Sequence, residues 1–169
     1  MSNIKHLFLE EVVSTNDYLK NNYRNLENNT FISTNFQTKG RGQFLRKWES
    51  KRGVNILISW LIKDSKSSIF KIRKHVTNVL INVLKSKNID AYFEYPNDIF
   101  VNEKKIAGIL IETKGNKQQI DYIIVGIGLN VNQDEYDELK AISMKNITNE
   151  IYDIDKLKNE LINKLIEKL

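Results

Sequence analysis

The chain has 169 residues, 41% of them hydrophobic, which is enough for one globular domain with a proper core and too little for two. Charged residues make up 28% and the formal net charge is +5; this suits nucleic acid, an anionic nucleotide or an acidic partner protein, although the basic residues are scattered rather than blocked. There is no cysteine, which excludes disulfides, thiol catalysis and thiolate metal sites, and no stretch approaches the roughly 18–20 apolar residues of a membrane span.

The opening MSNIKHLFLEEVVS is too short an apolar run and too acidic for a signal peptide, so a soluble cytoplasmic domain is expected. Lys5 to Glu10 reads as a strand, after which Ser14-Thr15 can cap a helix carrying Tyr18, Leu19 and Tyr23. Residues 31–37 alternate, with Ile32, Thr34 and Phe36 on one face and Ser33, Asn35 and Gln37 on the other, which predicts a half-buried strand. A basic, glycine-bearing loop from Lys39 to Gly53 leads into an apolar strand, Val54 to Ile62.

Ile69, Ile72, Val76, Val79, Leu80, Val83 and Leu84 recur at helical spacing. Tyr92 to Phe100 is extended around Pro96, and Asn102 to Lys104 reads as a turn. Ile106 to Thr113 and Ile120 to Ile127 read as strands joined at Gly115-Asn116. The chain closes on a helix with a stripe of Leu157, Leu161 and Leu165, flanked by Ile154, Ile162, Ile166 and Leu169. Strict alternation of strand and helix is absent. An α+β domain on a mixed, largely antiparallel sheet flanked by helices fits better than a doubly wound parallel sheet.

Three short stretches stand out chemically. In Gly40-Arg41-Gly42-Gln43-Phe44-Leu45-Arg46-Lys47-Trp48, two glycines let the backbone bend around a ligand, and Arg41, Arg46 and Lys47 supply positive charge. Arginine holds a carboxylate or phosphate in a planar, two-point fashion. Tyr95-Pro96-Asn97-Asp98 presents an amide and a carboxylate at a bend, and Lys105 begins a buried strand where an ammonium needs an anionic partner. Gly108 inside that strand suggests close approach by a ligand or another backbone, and two glycines in one strand, Gly126 and Gly128 before Asn130, point to a requirement other than strand stability. Taken singly, each stretch is also an ordinary turn, bulge or solvated basic loop. His6 and His75 have no ligand-like company and read as structural or solvated.

Read in order, Ser14-Thr15-Asn16, residues 37–42, Arg46-Lys47-Trp48, Pro96-Asn97-Asp98, residues 105–110 and residues 126–130 resemble the catalytic domain of biotin protein ligases over nearly the whole chain. The resemblance implies the biotin–lipoate ligase fold, related to class II aminoacyl-tRNA synthetases. It also implies a two-step reaction: biotin and ATP form biotinyl-5′-AMP, and the biotinyl group passes to a lysine of a biotin carboxyl carrier protein. It implies Lys105 and Arg41 as catalytic cations, and biotin contacts from Ser14, Thr15, Asn16, Gln37, Gly40, Arg41, Gly42, Gln43, Lys105 and Gly108. Arg46, Lys47, Trp48, Asn97 and Asn130 would face ATP, with Asp98 near a Mg²⁺ that arrives with the nucleotide.

The sequence departs from the family pattern in places. Gln43 stands where relatives carry arginine, Leu45 where they carry glycine, and Glu94 where they carry lysine. A single catalytic domain over 1–169 is expected, without a preceding DNA-binding domain or a following β-barrel, and hence no specific DNA partner and no membrane. A homodimer is left open. Competing readings are a lipoate or octanoate ligase on the same fold, whose R-x-x-G-G-G-type signature is absent, and a degenerate domain that binds biotin without efficient transfer. A basic nucleic-acid-binding domain would need a clustered stripe that this charge distribution lacks.

Overall fold

The strands β1 (Lys5–Val12), β2 (Thr30–Gln37), β3 (Ile56–Ile62), β4 (Tyr92–Glu94), β5 (Asp98–Val101), β6 (Lys104–Gly115) and β7 (Ile120–Leu129) form one sheet in the order β1-β2-β3-β7-β6-β5-β4. Only β1 and β2 run parallel; every other neighbouring pair is antiparallel. The mixed, largely antiparallel sheet expected from sequence is therefore the one observed. This computed structural model describes residues 4–116, 119–136 and 140–167, with the backbone alone at Leu45. Leu169, assigned above to the last helix, lies outside them.

Among the described residues four α-helices accompany the sheet: α1 (Thr15–Asn22), α2 (Ile69–Lys85), α3 (Met144–Thr148) and α4 (Ile154–Ile166). Side chains alternate across a strand, so parity decides which layer each one joins. In β3, Ile56, Ile58, Trp60 and Ile62 enter the main core, as do Ile123, Val125, Ile127 and Leu129 of β7. Ile72, Val76, Leu80, Val83 and Leu84 of α2 and Leu157, Leu161 and Leu165 of α4 close that core. Each fully buried Leu, Ile or Val contributes roughly 1.5–3 kcal/mol relative to exposure. Residues of opposite parity, Leu61 of β3 and Tyr122 and Ile124 of β7, meet Leu19 of α1 in a smaller cluster on the other face.

The helix starts are local. The Ser14 hydroxyl accepts from Asp17 N, Ser68 caps α2, and Asp153 caps α4 through Lys156 N. Two expectations need correction. Residues 30–34 are buried throughout rather than half-buried, because β2 is flanked by β1 and β3 and covered on both faces. Phe31 stacks on Trp60 at 5.3 Å in the main core, while Ile32 joins the α1 cluster. Residues 92–100 are not continuously extended: β4 and β5 pair with each other, Glu94 opposite Asp98, so the chain reverses over Tyr95–Asn97, where the Tyr95–Pro96 bond is cis.

The histidines are structural, as expected. His6 Nε2 lies 2.7 Å from Ser33 Oγ, and burial, then Lys158, holds its pKa below the usual imidazole value. His75 Nε2 lies 2.7 Å from the Leu165 carbonyl. Among the described residues no helix is long and apolar enough to cross a membrane.

Candidate active site

The face of the sheet away from α2 and α4 loses its large side chains towards the middle. Beyond Leu61 and Ile124 the inward positions become Ser59, Gly126, Gly128 and Gly108, and a cleft of about 1150 Å³ opens there. The glycines are needed because other side chains sit on them. A Cβ on Gly126 would collide with the Asn16 amide, and one on Gly128 would fall 2.5 Å from Trp48 Cζ2. One on Gly108 would lie 3.0 Å from the same indole and 3.3 Å from Lys105 Nζ. The close approach expected at Gly108 from a ligand or another backbone is made instead by the side chains of Trp48 and Lys105, and the requirement behind Gly126 and Gly128 is room for Asn16 and Trp48.

Trp48 reaches the sheet on a small loop hairpin. Trp48 N donates to the Gly40 carbonyl at 3.0 Å, Gly42 N to that of Arg46 at 2.7 Å, and Arg41 bridges Lys47. Gly40 is the one sequence-predicted site residue outside the cleft wall; it is buried at the base of this hairpin, where a Cβ would strike the Trp48 carbonyl. Every other one lines the cleft.

On the α1 side, Gln37 Oε1 accepts from Thr15 N at 2.9 Å and from Thr15 Oγ1 at 3.1 Å. Ser59 Oγ lies 2.7 Å from Thr15 Oγ1 and 2.5 Å from Asn16 Oδ1. The Asn16 Nδ2 group donates to Glu112 Oε2 at 2.9 Å. The Asn16 amide is therefore engaged within the protein at both ends. Arg41, expected to offer a two-point face to an anion, already gives that face to Asp17, through Nε at 3.1 Å and Nη2 at 2.7 Å. Its Nη2 also reaches Glu112 at 2.6 Å. Burial opposes charge on both groups, yet their mutual hydrogen bonds raise the Arg41 pKa and hold Glu112 below the usual carboxylate range.

On the opposite side, Lys105 Nζ lies 2.8 Å from Asp98 Oδ1 and 5.3 Å from the Trp48 ring centre. The anionic partner that its burial demanded is therefore Asp98. The Lys105 backbone is pinned by Lys105 N to the Lys140 carbonyl at 2.7 Å and Ile142 N to the Lys105 carbonyl at 3.0 Å. Trp48 Nε1 and Asn130 Oδ1 are buried and have no hydrogen-bond partner among the described residues. Arg46 and Lys47 are exposed at the cleft wall, and neither is in an ion pair among those residues. Buried polar groups are normally satisfied, so an orphan donor and acceptor beside free cations call for a polar, anionic ligand.

A profile of the biotin/lipoate A/B protein ligase family matches residues 8–130, a stretch that carries the α1 residues, the Trp48 hairpin, Lys105 and Asn130. The chain belongs to that family. It is 33% identical over 150 residues to the bifunctional ligase/repressor BirA of Bacillus spizizenii, covering 82% of this chain and 45% of that protein. To the Salmonella typhimurium protein of the same name it is 30% identical over 164 residues, covering 95% and 51%. The chain thus spans about half the length of these relatives. Its fold superposes on the biotin protein ligase of Aquifex aeolicus in complex with biotin and ATP with a TM-score of 0.83, at 29% identity over 96% of this chain and 69% of that one.

Sequence reasoning missed Asp17, Ser59, Glu112 and Tyr136. The first three act through other side chains, and nothing in their spacing signals that. Tyr136 lines the cleft from the segment after β7, and burial raises its pKa. Only proximity in the fold brings it there.

Proposed function

We propose that the chain is the catalytic part of a biotin–protein ligase. A biotin carboxylate oxygen attacks the α-phosphorus of ATP and pyrophosphate leaves. A lysine amine of the carrier protein then attacks the acyl carbon of biotinyl-AMP, losing a proton and releasing AMP. The observation that carries this reading is one cleft that combines an indole wall over Gly108 and Gly128, the Lys105 ammonium, and Arg46 and Lys47, which form no ion pair among the described residues.

The chemistry follows from charge. Two anions must meet, and a fixed cation between them lowers the repulsion without reorganising at the moment of reaction. Lys105, held at its backbone and beside the indole, is the group suited to that place. Arg46 and Lys47 are suited to the phosphates, and Thr15 and Gln37 to the biotin head group. Trp48 and the glycine floor suit an apolar ring and chain. Mg²⁺ belongs to the substrate as Mg·ATP. Among the described residues no three His, Cys, Asp or Glu side chains cluster, which suits an ion that keeps its waters and rides on phosphates, with Asp98 as the nearby carboxylate.

The test is pyrophosphate release from Mg·ATP on adding biotin, compared with lipoate. Release is expected with biotin, none with lipoate, and none after chelation of Mg²⁺. Release with lipoate alone would assign the chain to the other branch of its family, and biotin binding without release would make it a degenerate domain.

Gln43 carries a further expectation. It opens the short 3₁₀ turn of the hairpin and lines the cleft without charge. A charged donor makes hydrogen bonds to phosphate roughly twice as strong as a neutral one. The parent protein should therefore lose some biotinyl-AMP to solution and label lysines of an unrelated protein. Gln43→Arg should reduce that labelling, by about tenfold for each 1.4 kcal/mol of retention gained. Equal labelling by both proteins in a biotin blot would remove this role from Gln43.

A further inference from the structure

The Arg41 guanidinium is held from behind by two carboxylates on different elements. Asp17, in the first turn of α1, takes Nε–H and one Nη2 hydrogen, and Glu112, on β6, takes the other Nη2 hydrogen. Three of the five N–H donors of an arginine are thereby used, and the remaining two belong to Nη1. No hydrogen bond to Nη1 is formed among the described residues. Arg41 lines the cleft, whereas neither Asp17 nor Glu112 does. Glu112 also holds Asn16, whose amide lies over Gly126 and meets Ser59, and it faces Lys20 at 3.7 Å.

We propose that Asp17 and Glu112 are positioning residues that aim Arg41 into the cleft through its free Nη1 edge, with Glu112 also fixing Asn16 over Gly126. The charges of Lys20, Arg41, Asp17 and Glu112 cancel, so what Arg41 offers an anionic ligand is a directed donor rather than net positive charge. The inference rests on the adenylating reading above, with the biotin carboxylate as the anion. The opposing arrangement is sequestration, in which the carboxylates compete with the ligand for Arg41. The two differ in sign: positioning makes both carboxylates help binding, and sequestration makes both hinder it.

The experiment measures biotin affinity by calorimetry and biotin-dependent pyrophosphate release for the parent chain, Asp17→Asn, Glu112→Gln, Arg41→Ala and the Arg41→Ala/Asp17→Asn double variant. Positioning predicts affinity about tenfold weaker or more for each carboxylate variant, since a charge-assisted bond is lost. It also predicts a double variant no weaker than Arg41→Ala alone, because the Asp17 carboxylate acts through Arg41. A pH series adds a readout that a purely structural role would not move. The folded-state pKa of Glu112 is lowered, so its contribution is complete at neutral pH and lost as pH falls through that lowered value. The carboxylate of biotin also protonates in acid, so both proteins lose affinity there, and the parent should lose it more steeply than Glu112→Gln. Asp17 is partly exposed, so Asp17→Asn carries the test should Glu112→Gln fail to fold. Tighter binding in either variant, affinity within twofold of the parent, or additive losses in the double variant would overturn the proposal. A parent chain that releases no pyrophosphate with biotin would instead overturn the reaction assigned above.

Discussion

Replacing Lys105 by alanine is expected to lower biotin-dependent pyrophosphate release by about 10²–10³-fold while leaving the chain folded. The ammonium is one third exposed, paired with Asp98 at 2.8 Å and placed beside the indole that walls the cleft. A partly exposed pair of this kind is worth about 1 kcal/mol or less to stability. The strand bonds that fix residue 105 use its backbone and survive the substitution. Loss of the charge is therefore felt where two anions approach, not where the sheet is assembled. Single-turnover release measured beside a thermal melt separates the two. Near-parental release with an unchanged melt would take Lys105 out of the chemistry.

Gly128→Ala should disturb the cleft wall through a single methyl group. The new Cβ would lie 2.5 Å from Trp48 Cζ2 and 2.9 Å from Nε1, distances that a ring cannot tolerate. Trp48 cannot move inward, because the sheet is beneath it, so the hairpin from Gly40 to Trp48 must lift. Overpacking of this kind costs roughly 1–3 kcal/mol. Taken wholly from the ligand-bound arrangement, that is about 5- to 150-fold in biotin affinity. The chain has two tryptophans and Trp60 is buried in the opposite layer, so a change in indole emission reports on Trp48. Gly53→Ala is the control, since nothing lies within 4 Å of a Cβ there, although its positive φ brings some strain. Unaltered emission together with unaltered affinity in Gly128→Ala would show that the ring does not need the glycine floor.

The elements that carry strong periodicity were legible without coordinates. The stripe of α2 from Ile72 to Leu84 and the Leu157–Leu161–Leu165 stripe of α4 are buried where their spacing places them, whereas Ile69, in the first turn of α2, is exposed. The order of motifs likewise gathered Thr15, Gln37, Arg41, Trp48, Asn97, Lys105 and Asn130 into one cleft. The missing information was of another kind. The short helix α3 has too few residues to show a period. The burial of β2 depends on neighbours on both sides of it, which local alternation cannot report. Arg41 looked free because Asp17 lies 24 positions away and Glu112 71 positions away in the chain. Likewise, the carboxylate that answers Lys105 was visible as Asp98 but read as a metal neighbour, since pairing across β5 and β6 cannot be seen in a linear motif.

The alternation along β7 has a consequence for how such a protein can change. Ile123, Val125, Ile127 and Leu129 answer to the packed layer beneath, while Gly126 and Gly128 answer to the indole and amide above. Adjacent codons in this strand are thus under unrelated constraints. Drift or selection for heat tolerance draws on positions 125, 127 and 129, and a shift in ligand preference draws on 126 and 128. The protein can follow either course without retracing the other, because one thickness of backbone separates them.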